Sequence, residues 1–218
     1  MTKKPDAIIF DWDNTLIDSW QLIGRSIDKT LTDMGKQPWG INKVKKTVYK
    51  SMRESFPAIF GNKWQEAGEI YQQTYHNLRH QVQFLPDAKK LIEDLTKLQI
   101  PLFIISNKVG DNLRFEVKKL QIDQYFFSVI GAGDAKYDKP DPAPVDLALL
   151  GSNLDPKKND IWFVGDAPTD LYCAINSGCK PILFGKDTQP HHLDNDLKKH
   201  NIDYYQDHKV IIDKIRQW

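Results

Sequence analysis

Residues 7–18 read AIIFDWDNTLID. Ile8, Ile9 and Phe10 run straight into Asp11, and Trp12, Asp13, Asn14 and Thr15 follow. A short apolar run closed by turn formers is the pattern of a buried parallel strand. It delivers two carboxylates to the strand's carboxyl end, where open α/β sheets hold their ligands. The Asn-Thr pair marks the strand as already ended, which lets both carboxylates turn toward one site. The plainer alternative is that the two aspartates only solvate a turn.

Working outward, the 218 residues suit one domain or one and a half, with a sizeable core. Hydrophobic residues make up 40% and charged residues 27%, with a net charge of +1, so nothing points to nucleic acid or a membrane surface as partner. The longest apolar runs, such as Ile100–Ile105, are too short to span a bilayer, and the polar start reads as no signal peptide. Cys173 and Cys179 have neither metal-site spacing nor a disulfide framework and read as small core residues. A cytoplasmic location is the default expectation. Trp12, Trp20, Trp39, Trp64, Trp162 and Trp218 are scattered and read as packing residues.

After the first strand, apolar residues recur at helical spacing. Leu22, Ile23, Ile27, Leu31 and Met34 predict one helix, Val44, Val48 and Met52 a second, and Trp64 to about Val82 a third. No strand is expected between Ile17 and Gln83, so this stretch reads as an all-helical insertion. From Leu85 strand and helix alternate. The strands predicted are PLFIISN from Pro101, Phe126–Ile130, Ile161–Val164 and Pro181–Phe184, with Tyr204–Tyr205 as a weak further one. A helix over Leu193–His200 and a closing helix over Val210–Arg216 complete the tail. Such alternation predicts an α/β fold, a parallel sheet covered on both faces.

Four of these strands end in polar residues: Asp11 and Asp13, Ser106 and Asn107, Asp134 with a loop carrying Lys139, and Asp166 with Asp170. In a parallel sheet these ends share one edge. Oxygen ligands without histidine or thiol suit a hard cation, best Mg²⁺. A cation beside a lysine and a hydroxyl is a site for a phosphoryl group, and an aspartate can attack phosphorus and carry that group covalently.

These residues carry a resemblance to the haloacid dehalogenase superfamily, in its phosphatase branch. Asp11-Trp12-Asp13-Asn14-Thr15 is similar to that family's D-x-D-x-T motif, Ser106 to its strand-end hydroxyl, Lys139 in DKPDP to its lysine, and Gly165-Asp166-Ala167-Pro168-Thr169-Asp170 to its G-D-x-x-x-D. All four stand in family order. Asn14 departs from the usual glycine, though asparagine tolerates left-handed backbone better than most residues. The resemblance implies a Rossmann-like, doubly wound core (1–16 and 84–218) with an inserted helical cap (17–83). It implies Asp11 as nucleophile and Asp13 as general acid and base. Ser106 would bond the phosphoryl oxygens and Lys139 offset their charge. Mg²⁺ would lie on Asp11, Asp166 and the Asp13 backbone carbonyl, with Asp170 orienting the metal shell. For Asn107 two readings stand, phosphate contact or a cap on the next helix. For Asp170 the alternative is an early-helix charge against the dipole. Lys50 and Arg53 are cap cations for reading an anionic substrate, or simply an exposed basic face.

The implied activity is a Mg²⁺-dependent phosphomonoester hydrolase for a small soluble metabolite, nearest to phosphoglycolate phosphatase-like members. The expected state is a monomer or small homo-oligomer, with neither nucleic acid nor membrane as partner. A β-phosphoglucomutase-type phosphomutase shares the motifs. A phospho-ligand-binding regulatory protein is the rival from another class, and the presence of Asp11, Asp13 and Lys139 counts against it.

Overall fold

The computed structural model describes residues 3–48, 50–186, 188 and 190–217. Strand β1 (Ala7–Phe10) is buried along its whole length. Its side chains divide by the strand period: Ile8 and Phe10 enter one apolar core, Ala7 and Ile9 the other. A two-strand antiparallel ribbon follows, β2 (Ile17–Asp18) on β3 (Gln83–Phe84), with Ile17 opposite Phe84. Between the ribbon's strands lies the helical cap: α1 (Trp20–Asp33), α2 (Gly40–Thr47), α3 (Met52–Phe60) and α4 (Trp64–Leu78). Leu22, Ile23, Ile27 and Leu31 form the buried stripe of α1.

Beyond the ribbon the chain alternates: α5 (Ala88–Lys97), β4 (Leu102–Val109), α6 (Gly110–Lys119), β5 (Ser128–Ala132), α7 (Ala143–Leu149), β6 (Ile161–Gly165), α8 (Pro168–Ser177), β7 (Lys180–Phe184), β8 (Asp203–Tyr205) and α9 (His208–Ile215). Six strands make one sheet in the order β5-β4-β1-β6-β7-β8, every neighbouring pair parallel. One face packs with apolar residues of α5, α6 and α9, the other with α7 and α8. The first strand is central, flanked by β4 and β6, so the strand order reverses on either side of it. Its carboxyl end is therefore a switch point that leaves a crevice for ligand.

One contact from the end of the chain bears on the cap. The buried His208 sets Nε2 2.7 Å from the Thr15 carbonyl and Nδ1 2.8 Å from the Pro86 carbonyl. Thr15 precedes β2 and Pro86 follows β3, so a single imidazole packs against both segments joining cap and core.

The structure corrects the expected pattern in three places. The helix expected through Val44, Val48 and Met52 is two helices. Val48 leaves helical backbone (φ −97°, ψ 88°), and α3 starts afresh after Ser51. Over Leu193–His200 only the 3₁₀ turn Leu197–Lys199 forms, because Asp194 Oδ1 takes the amides of Asp196 and Leu197 in place of a helical ladder. The ribbon strands at Ile17 and Gln83 were too short to signal in a periodicity. Trp12 and Trp162 are buried and Trp20, Trp39 and Trp64 pack against the core, while Trp218 lies outside the described residues. Both cysteines are free and buried, in the packing role expected of them.

Candidate active site

The chain turns sharply as it leaves β1. The Trp12 carbonyl accepts the amides of Leu16 (3.0 Å) and Ile17 (3.2 Å), and Asn14 donates its amide to the Ile17 carbonyl at 2.8 Å. Asn14 holds the left-handed conformation that closes this turn, with φ of 60°. As a result Asp11 and Asp13 line the same cavity, about 810 Å³ in volume, between the sheet edge and the cap. Thr15 Oγ1 lies 3.3 Å from Asp11 Oδ2, as donor to it.

Lys139 reaches this point from the loop after β5, and its side chain is only 2% exposed. Its Nζ donates to Asp11 Oδ1 at 2.6 Å, Asp170 Oδ1 at 2.6 Å and the Ile105 carbonyl at 3.0 Å. Burial disfavours the ammonium, but Asp11 and Asp170 overcome it and raise the Lys139 pKa. Asp170 also takes the Ala167 amide on Oδ2 at 2.9 Å, so it serves the first turn of α8 and the cluster together. Gly165 makes this possible: a Cβ there would stand 2.4 Å from the Asp170 side chain.

Carboxylate oxygens of Asp11, Asp166 and Asp170 all fall within 4.8 Å of one another. Burial, the largest cause, pushes Asp11 up to about 7, Lys139 pulls it back, and Asp170 and Asp13 raise it further. Burial and then Asp11 and Asp170 push Asp166 well above the usual carboxylate range. Three crowded carboxylates against one ammonium leave an excess of negative charge, and the donor set is oxygen throughout. That combination could hold a hard divalent cation.

Ser106 and Asn107 lie where β4 turns irregular, past Ile105, the strand running on to Val109 rather than ending at them as expected, and both line the cavity. The Asn107 side chain clamps the peptide of Lys139, accepting its amide and donating to its carbonyl, each at 3.0 Å. It caps no helix, since α6 begins after Val109. Lys50 lines the cavity, but Arg53 is not among its lining residues. Arg53 instead grips Asp138 through Nε and Nη2, the two-pronged match of guanidinium to a buried carboxylate. Arg53 thus links α3 to the residue before Lys139.

Three residues escaped the sequence reading: Glu116, Lys108 and Tyr75. Glu116 of α6 is fully buried, and its carboxylate accepts Trp12 Nε1 (2.7 Å), Lys108 Nζ (2.7 Å) and the hydroxyl of Tyr75 from α4 (2.8 Å). Lys108 Nζ also meets Asp13 Oδ1 at 2.7 Å and donates to the Tyr75 hydroxyl at 2.6 Å. The available signals were slight: Lys108 directly follows Ser106-Asn107, and Glu116 stands beside the inward-facing Val117.

The sequence profile of the haloacid dehalogenase-like hydrolase family matches residues 8–184. A phosphoglycolate phosphatase of Photorhabdus laumondii is 30% identical over 182 residues, spanning 79% of this chain and 77% of that protein. A pyrophosphatase, PpaX, of Bacillus velezensis is 30% identical over 179 residues, 82% of each chain. Among solved structures, a haloacid dehalogenase-superfamily hydrolase of Ehrlichia chaffeensis is 30% identical, superposes with a TM-score of 0.67 and covers 100% of this chain and 98% of that one.

Proposed function

This chain belongs to the haloacid dehalogenase-like hydrolases, and we propose that it is a Mg²⁺-dependent phosphomonoester hydrolase acting on a small phosphorylated metabolite, with phosphoglycolate among the candidates. One observation carries the reading: Lys139 bridges the Asp11 and Asp170 carboxylates at 2.6 Å each, Asp166 crowds against both, and Asp13 lines the same cavity.

Asp11 attacks phosphorus in line, and its bond to phosphorus forms as the ester oxygen leaves. Asp13 gives that oxygen a proton, then takes one from the water that hydrolyses the aspartyl-phosphate. Ser106 donates its hydroxyl to the phosphoryl oxygens. Lys139 balances charge on Asp11 and on the transferred group, and Asn107 contributes by fixing the Lys139 peptide. Asp11, Asp166 and the Asp13 backbone carbonyl would hold Mg²⁺, with Asp170 orienting its shell. When bound, the ion supplies Lewis-acid stabilisation of the phosphoryl charge. Residues 17–83 act as the cap over a core of 1–16 and 84–218, excluding water from the reacting group. Lys50, on the cavity wall, is the cap cation for an anionic leaving group. We place the enzyme in the cytoplasm.

Phosphate release from phosphoglycolate, sugar phosphates, nucleoside monophosphates, pyrophosphate and p-nitrophenyl phosphate, with Mg²⁺ and with chelator, tests this. Metal-dependent release without a sugar bisphosphate supports a hydrolase and removes the phosphomutase alternative. Asp11→Asn should cut kcat by on the order of 10³-fold or more. Retained turnover in that variant would sink the proposed nucleophile.

A further inference from the structure

Glu116 is a carboxylate that is 0% exposed and does not line the cavity, one lysine removed from Asp13, and three donors converge on it. Each donor comes from a different part of the machine. Trp12 lies in the catalytic turn between Asp11 and Asp13. Lys108 lies on the strand end beside Ser106 and Asn107. Tyr75 belongs to the cap helix α4. A buried carboxylate lacking a donor is costly, so all three groups must be seated together for the site to be satisfied.

Lys108 transmits this arrangement. Its ammonium has three N–H groups and three oxygen partners: Asp13 Oδ1, Glu116 Oε2 and the Tyr75 hydroxyl. Two of these are hydrogen bonds, to Glu116 and Tyr75, and the third is an ion pair with Asp13 at 2.7 Å, so the Lys108 ammonium beside Asp13 is held in place by Glu116 and by the Tyr75 that the cap presents. Glu116 also balances the Lys108 charge, so Asp13 faces a shared cation and not a lone one. Burial and then Asp13 and Glu116 keep Tyr75 protonated, a donor under all ordinary conditions.

We propose that Glu116 is a positioning residue: through Lys108 and Tyr75 it makes proton transfer by Asp13 conditional on the seating of the cap. The proposal rests on the hydrolase reading above, in which Asp13 protonates the leaving group.

The test compares Glu116→Gln and Tyr75→Phe with the parent on phosphoglycolate and on p-nitrophenyl phosphate. The first ester has a poor leaving group that needs an acid; the second departs without one. Each variant is expected to lower kcat for phosphoglycolate about 10- to 100-fold with KM changed less than about threefold, and kcat for p-nitrophenyl phosphate less than about threefold. The double variant should fall no further than Glu116→Gln alone, because the group acts as a unit. Tyr75→Phe retains the ring that stacks on Tyr71, so it is the variant best able to keep the fold. Equal losses on both esters, or no loss on either, would overturn the proposal. A second measurement is independent of turnover. Amide hydrogen exchange across residues 11–16 should speed up in Tyr75→Phe, and unchanged protection there refutes the coupling. If the parent hydrolyses neither ester, the hydrolase reading fails, and the exchange experiment still decides whether cap and catalytic turn are linked.

Discussion

At the scale of single residues, backbone conformation and charge crowding each set a measurable expectation. Asn14 occupies left-handed backbone where the family resemblance leads one to expect glycine. Asn14→Gly should therefore keep activity and leave unfolding free energy within about 1 kcal/mol, whereas Asn14→Val should cost about 1–2 kcal/mol in urea titrations. The carboxylate cluster is strained in a different way. Without metal, Asp166→Asn relieves repulsion from Asp11 and Asp170 and should unfold at an equal or higher temperature than the parent. With Mg²⁺ at about 100 times its Kd the parent gains about 2.7 kcal/mol by mass action. The variant gains little, so the order should reverse; differential scanning calorimetry in chelator and in Mg²⁺ reads both halves. The groups that respond this way were the legible ones. Asp11, Lys139, Asp166 and Asp170 each follow an apolar strand or sit in a Gly- and Pro-marked loop, so local pattern put them at one sheet edge. Glu116 and Lys108 carried no comparable mark. Their meaning lies in pairings 104 and 33 residues apart, to Trp12 and Tyr75, which no local window contains.

At the scale of elements, the strands and long helices were readable because burial imposes a period, and the breaks were not. The gap between α2 and α3 depends on where Val48 points its backbone, and β2–β3 is too short to show alternation. The function of α3 was likewise hidden, because a basic residue on a helix can face substrate, solvent or another element. Here it faces another element: Arg53 pairs with Asp138, whose side chain is 1% exposed while that of Arg53 is 41% exposed. Among the described residues, Arg53→Ala leaves the Asp138 carboxylate with the Gly133 amide at 3.2 Å as its remaining bond. The expected loss is about 1–2 kcal/mol in urea titrations, below the range for fully buried pairs because water already reaches Arg53. KM should rise as well, since the cap loses a tie to the loop bearing Lys139. An unchanged urea midpoint would mean the pair adds nothing to the seating of α3.

At the scale of the whole molecule, the last helix acts on the first turn. Burial, the largest cause, lowers the pKa of His208, while the Pro86 and Thr15 carbonyls and then Asp207 and Asp87 oppose it. The folded value therefore lies below the unfolded one near 6.5. Between the two, the unfolded chain binds more protons. The stability contributed by His208 is thus complete above about pH 6.5 and is lost as pH falls from there toward the folded value. His208→Gln should flatten the dependence of the urea midpoint on pH below 6.5, and an identical slope in both proteins would count against it. The central place of β1 has a consequence for biosynthesis. The ribosome releases Ala7–Phe10 before its sheet partners, Leu102–Ile104 and Ile161–Val164, which emerge about 95 and 155 residues later. Throughout that interval the nascent chain carries the strand that leads into Asp11 as an unpaired apolar segment, and the cap is synthesised before the sheet it will cover.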